Sequence, residues 1–347
     1  MRIFLPSLAL GLLFLGVAGF WAFASWRTGR ELDAWLDREA ALGRTWTCPD
    51  RAIAGFPFRL EVSCGTPSFT GVADGRSVSG SLGRVMAVAQ IYNPNHVIVE
   101  AQGPLAVRAQ SGETLDLDFT LARASIMGKP GAGLDRFSLE ISEPRLKIAS
   151  SRLPPISVGA TMADFHIRRT PDRPTADGAF DVASLVQRAS VPMLDQWLGG
   201  SDTTDATVLA TITRAEPLAG RGLPVELERW RTEGGRLQLS QFSVTRGTKR
   251  VDAAGTLNID ELHRLQGRLD LTVAGLDEVL QSFGLSPRNA AIGGLIASVL
   301  GGGRKSQAQA AAPQQDPAGK GVMLPLRLDN GKVMLGPIPV ANLVPLY

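Results

Sequence analysis

Residues 3–25, IFLPSLALGLLFLGVAGFWAFAS, run for 23 positions without a charge. As a helix this run is long enough to cross a bilayer, since about 20 apolar residues cover a hydrocarbon core of roughly 30 Å. Pro6 would sit in the first turn, where a missing N–H costs little, and Trp21 and Trp26 would lie near the far end, at headgroup depth. Two readings fit. One is an uncleaved anchor over residues 1–26; the other is a signal peptide cleaved after the small-x-small triplet Ala22-Phe23-Ala24. The run exceeds the h-region of about 7 to 15 residues found in signal peptides, which favours the anchor. Arg2 at one end and Arg27 and Arg30 at the other leave its orientation open by charge alone. Either reading exports everything after residue 26.

Cys48 and Cys64 are the only cysteines, and they bound one short segment, CPDRAIAGFPFRLEVSC. Such a pair, with no C-x-x-C and no third thiol, suits a disulfide in an oxidising compartment, and in the chain-entropy model a loop of this size contributes about 3 kcal/mol. Two buried free thiols are the alternative, because Cys is often simply core. The expectation is therefore a single-pass membrane protein with its bulk exported into an oxidising compartment. Phe58, Leu60, Val62 and Cys64 share one face of an alternating run, so the bridge would staple a first strand to the chain leaving the membrane.

Hydrophobic residues make up 44% and charged residues 20%, a globular balance, and 38 glycines imply many tight turns. The net charge of +3 is scattered without a basic run, so no nucleic-acid partner is expected. Between residues 27 and 47, Leu32, Trp35, Leu36 and Leu42 recur at near-helical spacing, which predicts a juxtamembrane amphipathic helix. Beyond it the period becomes two. Leu115, Leu117, Phe119 and Leu121 alternate with polar residues, as do Phe137, Leu139 and Ile141, then Val251, Ala253, Leu257 and Ile259, then Leu269, Leu271 and Val273. Strands with one apolar and one wet face, separated by glycine turns, predict a mainly β protein with accessory helices: a long curved antiparallel sheet or open sandwich. The β-rich body is placed at residues 48–300. Two helical interruptions are expected, at 181–199 (Val182, Leu185, Val186, then a restart at Ser190 and Pro192) and at 276–300. Residues 301–320 read as a disordered linker, and 321–347 as a C-terminal hairpin returning to the sheet. In that hairpin an Asn330-Gly331 turn sets Leu328 opposite Val333, Leu326 opposite Leu335, and Asp329 opposite Lys332.

An anchor, an amphipathic helix and then the cysteine-bounded GFPFRLEVSC segment together resemble the domain-of-unknown-function 2125 family of Gram-negative envelope proteins, over nearly the whole chain. A second likeness lies in residues 230–276, whose Trp-x-x-x-Gly-Gly start and Gly-spaced strands look like the C-terminal repeats of AsmA-like envelope proteins, as does the ending LPLRLDNGKVMLGPIPVANLVPLY. That resemblance implies a membrane-anchored periplasmic β-structure with an apolar groove that handles lipids.

No catalytic or metal-binding set is legible. His96, His166 and His263 are far apart in sequence, with no H-E-x-x-H and no spare cysteine, so each reads as a surface or structural histidine. LGGGRKS (300–306) has the Lys-Ser end of a phosphate loop, but Arg304 stands where that loop needs glycine, and a helix precedes it. Gly80-Ser81-Leu82-Gly83 is one residue short of a nucleophile elbow. Asp116 with Asp118, and Asp33 with Asp37, fall on wet faces as solvated charges. No enzyme activity and no cofactor are expected. Two functions remain. One is a module whose one-sided strands leave a trough for acyl chains, against which stands closure of those strands into an ordinary sandwich core. The other is an envelope scaffold or partner-binding subunit with no ligand cavity, in which an open sheet edge pairs with another envelope protein.

Overall fold

The structure is a computed structural model that describes residues 4–73, 76–131, 133–150, 154–174, 177–193, 195, 200–215, 222–275, 321–336 and 338–347. The predicted interruption at 276–300, the linker at 301–320 and most of residues 194–199 lie outside the described residues. The chain divides into two compact units, Met1–Met162 and Ala163–Tyr347.

The first unit opens with α1 (Phe4–Ala41), one unbroken helix of 38 residues, about 57 Å long. The sequence separates an anchor ending at 26 from an amphipathic helix over 27–47; the structure runs them together, because no proline or paired glycine interrupts residues 21–41. The helix ends sooner than expected. Gly43 takes φ 75° and donates its N–H to Ala40 O, which closes the last turn in the left-handed conformation glycine tolerates, and residues 45–47 are extended.

Thirteen described strands follow: β1 (Thr45–Thr47), β2 (Ala52–Ala54), β3 (Arg59–Cys64), β4 (Ser68–Ala73), β5 (Arg76–Leu82), β6 (Val85–Gln90), β7 (Asn93–Ala101), β8 (Leu105–Ala109), β9 (Thr114–Asp118), β10 (Leu121–Lys129), β11 (Gly133–Ser142), β12 (Arg145–Ala149) and β13 (Ile156–Gly159). They form two open antiparallel layers. One has the order β1-β4-β5-β8-β9-β12-β13, and in the other β2-β3-β6-β7-β10-β11 lie side by side. The chain changes layer after β1, through residues 48–51, and then after every second strand through corners of two or three residues. These corners are hydrogen-bonded to one another: Gln102 N–H to Arg84 O (2.9 Å), Gly103 N–H to Phe119 O (3.3 Å), Thr120 N–H to Ser142 O (3.1 Å) and Glu143 N–H to Thr161 O (2.9 Å). The two layers are thus joined along one continuous line of corners. The run Leu115–Leu121, expected as one strand, is cut by this line: Leu115 and Leu117 belong to β9 and Leu121 to β10 in the other layer, with Phe119 at the corner.

In the second unit β14 (Met162–Arg169), β15 (Phe180–Ala189) and β16 (Thr204–Ile212) precede α2 (Leu223–Thr232). After it come β17 (Leu237–Arg246), β18 (Lys249–Ile259), β19 (Leu265–Ala274), β20 (Gly321–Asp329), β21 (Lys332–Leu335) and β22 (Ile338–Asn342), and β14 to β22 are neighbours in sequence order. The expected helix over 181–199 is corrected in its first half, where residues 180–189 are a strand. Val182, Leu185 and Val186 match helical spacing, yet β16 pairs with the segment on one side, and on the β14 side Ser184 Oγ donates to Asp164 O (3.0 Å). A bulge between Val186 and Ala189, with Arg188 at φ 47°, breaks the alternation that would have marked it as a strand. The β20–β21 hairpin has Leu326 opposite Leu335, Leu328 opposite Val333 and Asp329 opposite Lys332.

Buried side chains occur only in the second unit among the described residues, including Phe180, Ala210, Arg246, Ala253, Ile259 and Leu328. Trp230 of α2 donates its indole N–H to Thr213 O (2.8 Å), and its ring lies against Gly235, where a Cβ would come 2.2 Å from Nε1. The Trp-x-x-x-Gly-Gly spacing therefore has a local packing cause.

In the first unit close approach dictates glycine at the corners: a Cβ at Gly83 would lie 2.3 Å from Gln102 O, and one at Gly103 2.6 Å from Phe119 O. Gly83→Ala and Gly103→Ala are each expected to destabilise this unit by about 1–3 kcal/mol through forced backbone shifts. Urea titrations of the single variants check this, and wild-type midpoints for both would contradict it.

Candidate functional site: an apolar trough beside the N-terminal helix

The pairing registers show what each layer presents. Across β3-β6-β7-β10-β11, three successive rows are wholly apolar: Leu60, Ala89, Val97, Ile126 and Phe137; Val62, Ala87, Val99, Ala124 and Leu139; Cys64, Val85, Ala101, Ala122 and Ile141. The rows between them point the other way and are mixed, with Glu61, Ser63, Glu100, Arg123, Ser125 and Glu140 beside Met86, Val88 and Ile98. The other layer repeats the division. Phe69, Gly80, Val107, Leu115, Ile148 and Ile156 form one apolar row, while Ser81, Asp116, Lys147 and Ser157 lie on the opposite face. Ion pairs run along the wet faces, Arg123 to Glu100 at 2.9 Å and Arg108 to Asp116 at 2.5 Å.

The lower half of α1 touches the apolar face of both layers. On one side Trp35 packs on Trp46 (centroids 5.8 Å apart), which packs on Phe69 (5.1 Å). On the other side Gly29 lies against Ile53, and the helix and Leu60 line a groove of about 560 Å³. Contact with one helix puts both apolar faces on the same side of the corner line, so the layers form the walls of a trough with α1 at its first end. Yet no described residue of this unit is buried. Most wall residues are partly buried, and Ile126 is 37% exposed.

Cys48 and Cys64 form the disulfide, with Cα atoms 5.1 Å apart. Cys48 leaves β1 in one layer and Cys64 ends β3 in the other, and Gly65 N–H donates to Pro49 O (3.0 Å) beside them. The bridge thus clamps the first corner of the line, where few strands have yet paired. Arg51 adds an ion pair to Asp33 of α1 (2.7 Å).

The remaining sequence candidates are not brought together. Within the first unit His96 hydrogen-bonds Ser125 Oγ (2.9 Å), and Asp116 and Asp33 are taken up in the ion pairs above. Gly80-Ser81-Leu82 lies within β5, and Gly83 is at a corner. His166 lies on β14 in the second unit. No group of three or more His, Cys, Asp or Glu able to hold a metal occurs among the described residues.

One titratable cluster was not legible in the sequence, because its members are as far apart as 119 positions. In the second unit Tyr347 Oη donates to Glu228 Oε2 (2.8 Å), Arg231 pairs with Glu228 Oε1 (2.7 Å), and the His263 ring stacks on Tyr347 with centroids 4.4 Å apart. The hydrogen bond from Arg231, and then that from Tyr347, holds the Glu228 carboxyl down to about 2. Burial, followed by the Glu228 contact, pushes the Tyr347 phenol up. These contacts fasten the segment after β22 to α2.

Two outcomes follow. Reduction, or the double substitution Cys48→Ser with Cys64→Ser, should lower the stability of the first unit by about 3 kcal/mol. Calorimetry should show its transition moving while that of the second unit stays, and an unmoved first transition would contradict the clamp. Because the pKa of Glu228 is depressed from 4.5 to about 2, its contribution is present above pH 4.5 and is lost as pH falls through 2. Glu228→Gln should therefore flatten the acid limb of the second unit's stability between those values, read from thermal melts across that range.

Over residues 21–343 the chain matches the family described as "Uncharacterized protein conserved in bacteria (DUF2125)". It belongs to that family. No curated protein and no solved structure matches it.

Proposed function

We propose that this member of the DUF2125 family is a membrane-anchored binding module, held by α1 in the bacterial inner membrane with its body in the periplasm, whose trough takes up lipid acyl chains. One observation carries the reading: two facing walls of unbroken apolar rows contain no buried residue. Soluble proteins rarely leave contiguous apolar surface of that extent in water, so an occupant is called for. An acyl chain suits walls that offer no polar group to orient a headgroup. The helix lends further support, being long and apolar enough to cross a membrane. The disulfide suits an oxidising compartment. Binding, rather than catalysis, is the role these features favour.

Leu139, in the middle row of one wall, separates a trough from a closed core. Leu139→Glu would cost about 4 kcal/mol or more if it buried an unpaired charge in a sandwich, but less than about 1 kcal/mol if the side chain faces an open trough. The expected result is near-wild-type stability together with loss of the lipid that mass spectrometry finds on wild-type protein extracted from membranes. Reproducible absence of lipid from the wild type would falsify the reading.

A further inference from the structure

The length of α1 sets where the body must lie. Phe56, in the β2–β3 turn, packs edge-on against both Phe14 (centroids 6.1 Å apart) and Trp21 (5.6 Å), and the Trp21 indole donates to Arg59 O (2.9 Å). Contact between body and helix therefore begins at residue 14. Among the described residues, 4–13 extend beyond it, about 15 Å of helix at 1.5 Å per residue, against a hydrocarbon core of roughly 30 Å. If α1 crosses the bilayer, about half the crossing is made alongside the body.

The rim at that level is made for such a place. Phe56 is 45% exposed and Phe58 60%, and Ile91 N–H donates to Phe58 O (3.1 Å), which sets the neighbouring β6–β7 turn with Tyr92, 71% exposed, at the same edge. Three bare aromatic rings next to the bare apolar surface of α1, on which Leu12, Leu13 and Phe20 are 53–65% exposed, form one continuous apolar zone. Tyrosine is enriched at membrane interfaces, and phenylalanine is a side chain that amphipathic segments bury at the headgroup–acyl boundary. Behind the rim, the groove between α1 and Leu60 passes from Phe20 and Phe23 to Arg27 and Glu31, apolar on the membrane side and charged farther along the helix.

We infer that the Phe56-Pro57-Phe58 and Tyr92 turns are seated in the acyl zone of the leaflet on the body's side, so that the end of the trough beside α1 opens directly to lipid chains instead of to water. This inference rests on α1 being a membrane span.

The test uses full-length protein in phosphatidylethanolamine–phosphatidylglycerol vesicles. Both native cysteines are bonded, so Phe58→Cys, Leu12→Cys and Ser111→Cys each supply a single free thiol for a nitroxide. Collision with oxygen, which concentrates in the hydrocarbon, is compared with collision with a water-soluble nickel chelate. Labels at Leu12 and Phe58 that both favour oxygen, with Ser111 favouring nickel, support the inference. A Phe58 label favouring nickel while Leu12 favours oxygen overturns it and leaves the anchor standing. Nickel preference at both positions removes the anchor and the inference together. A Tyr92→Cys label reads the same rim independently of the Phe58 site, and nickel preference there also counts against the inference.

Discussion

An apolar sheet face cannot be left in water cheaply, since each Å² exposed forgoes about 25 cal/mol of burial. Every wall of this protein is such a face, and the architecture turns on how each one is covered. In the second unit Phe180, Ala210, Ile259 and Leu328 reach near-complete burial. In the first unit the only described helix reaches one end of the trough, and the walls beyond it remain partly exposed. The contrast within one chain shows that an open face is not a general consequence of its strand composition.

What keeps the first unit open yet ordered is its corner line. Each pair of strands crosses from one layer to the other at a short turn whose backbone groups bond the next turn, so the walls are hinged along a hydrogen-bonded seam. The seam begins at the Cys48–Cys64 bridge, beside the Asp33–Arg51 ion pair that fastens it to α1. Helix, disulfide and seam therefore form one mechanical unit. Residues 21–41 of α1, the half that meets both walls, fall within the stretch matched by the family.

Particular elements show how far local reading reaches. The β20–β21 hairpin was legible because a two-residue Asn-Gly turn, apolar pairing and the Asp329–Lys332 charge pair all demand one register. The bridge was legible because the chain offers only two thiols. Residues 180–189 were misread because a bulge spoiled the period, leaving three apolar residues at helical spacing. The cut at Phe119 was invisible for a different reason: alternation tells which side chains share a face, but a corner that moves the chain into another layer leaves the pattern nearly continuous. The Glu228–Tyr347 cluster had no local signal at all, being assembled by the meeting of α2 with the far end of the chain.

By itself the sequence determined the elements and their polarity: one helix apolar enough for a bilayer, a disulfide, and strands with one dry and one wet face, since these follow from side-chain chemistry at spacings of a few residues. Only the tertiary structure decided that the strands of the first unit divide into two walls joined at a seam, that α1 meets both dry faces, and that those faces are only partly covered. Those outcomes depend on contacts between residues tens of positions apart, and hydrophobic burial, being non-directional, does not encode in any local pattern which surface will cover which.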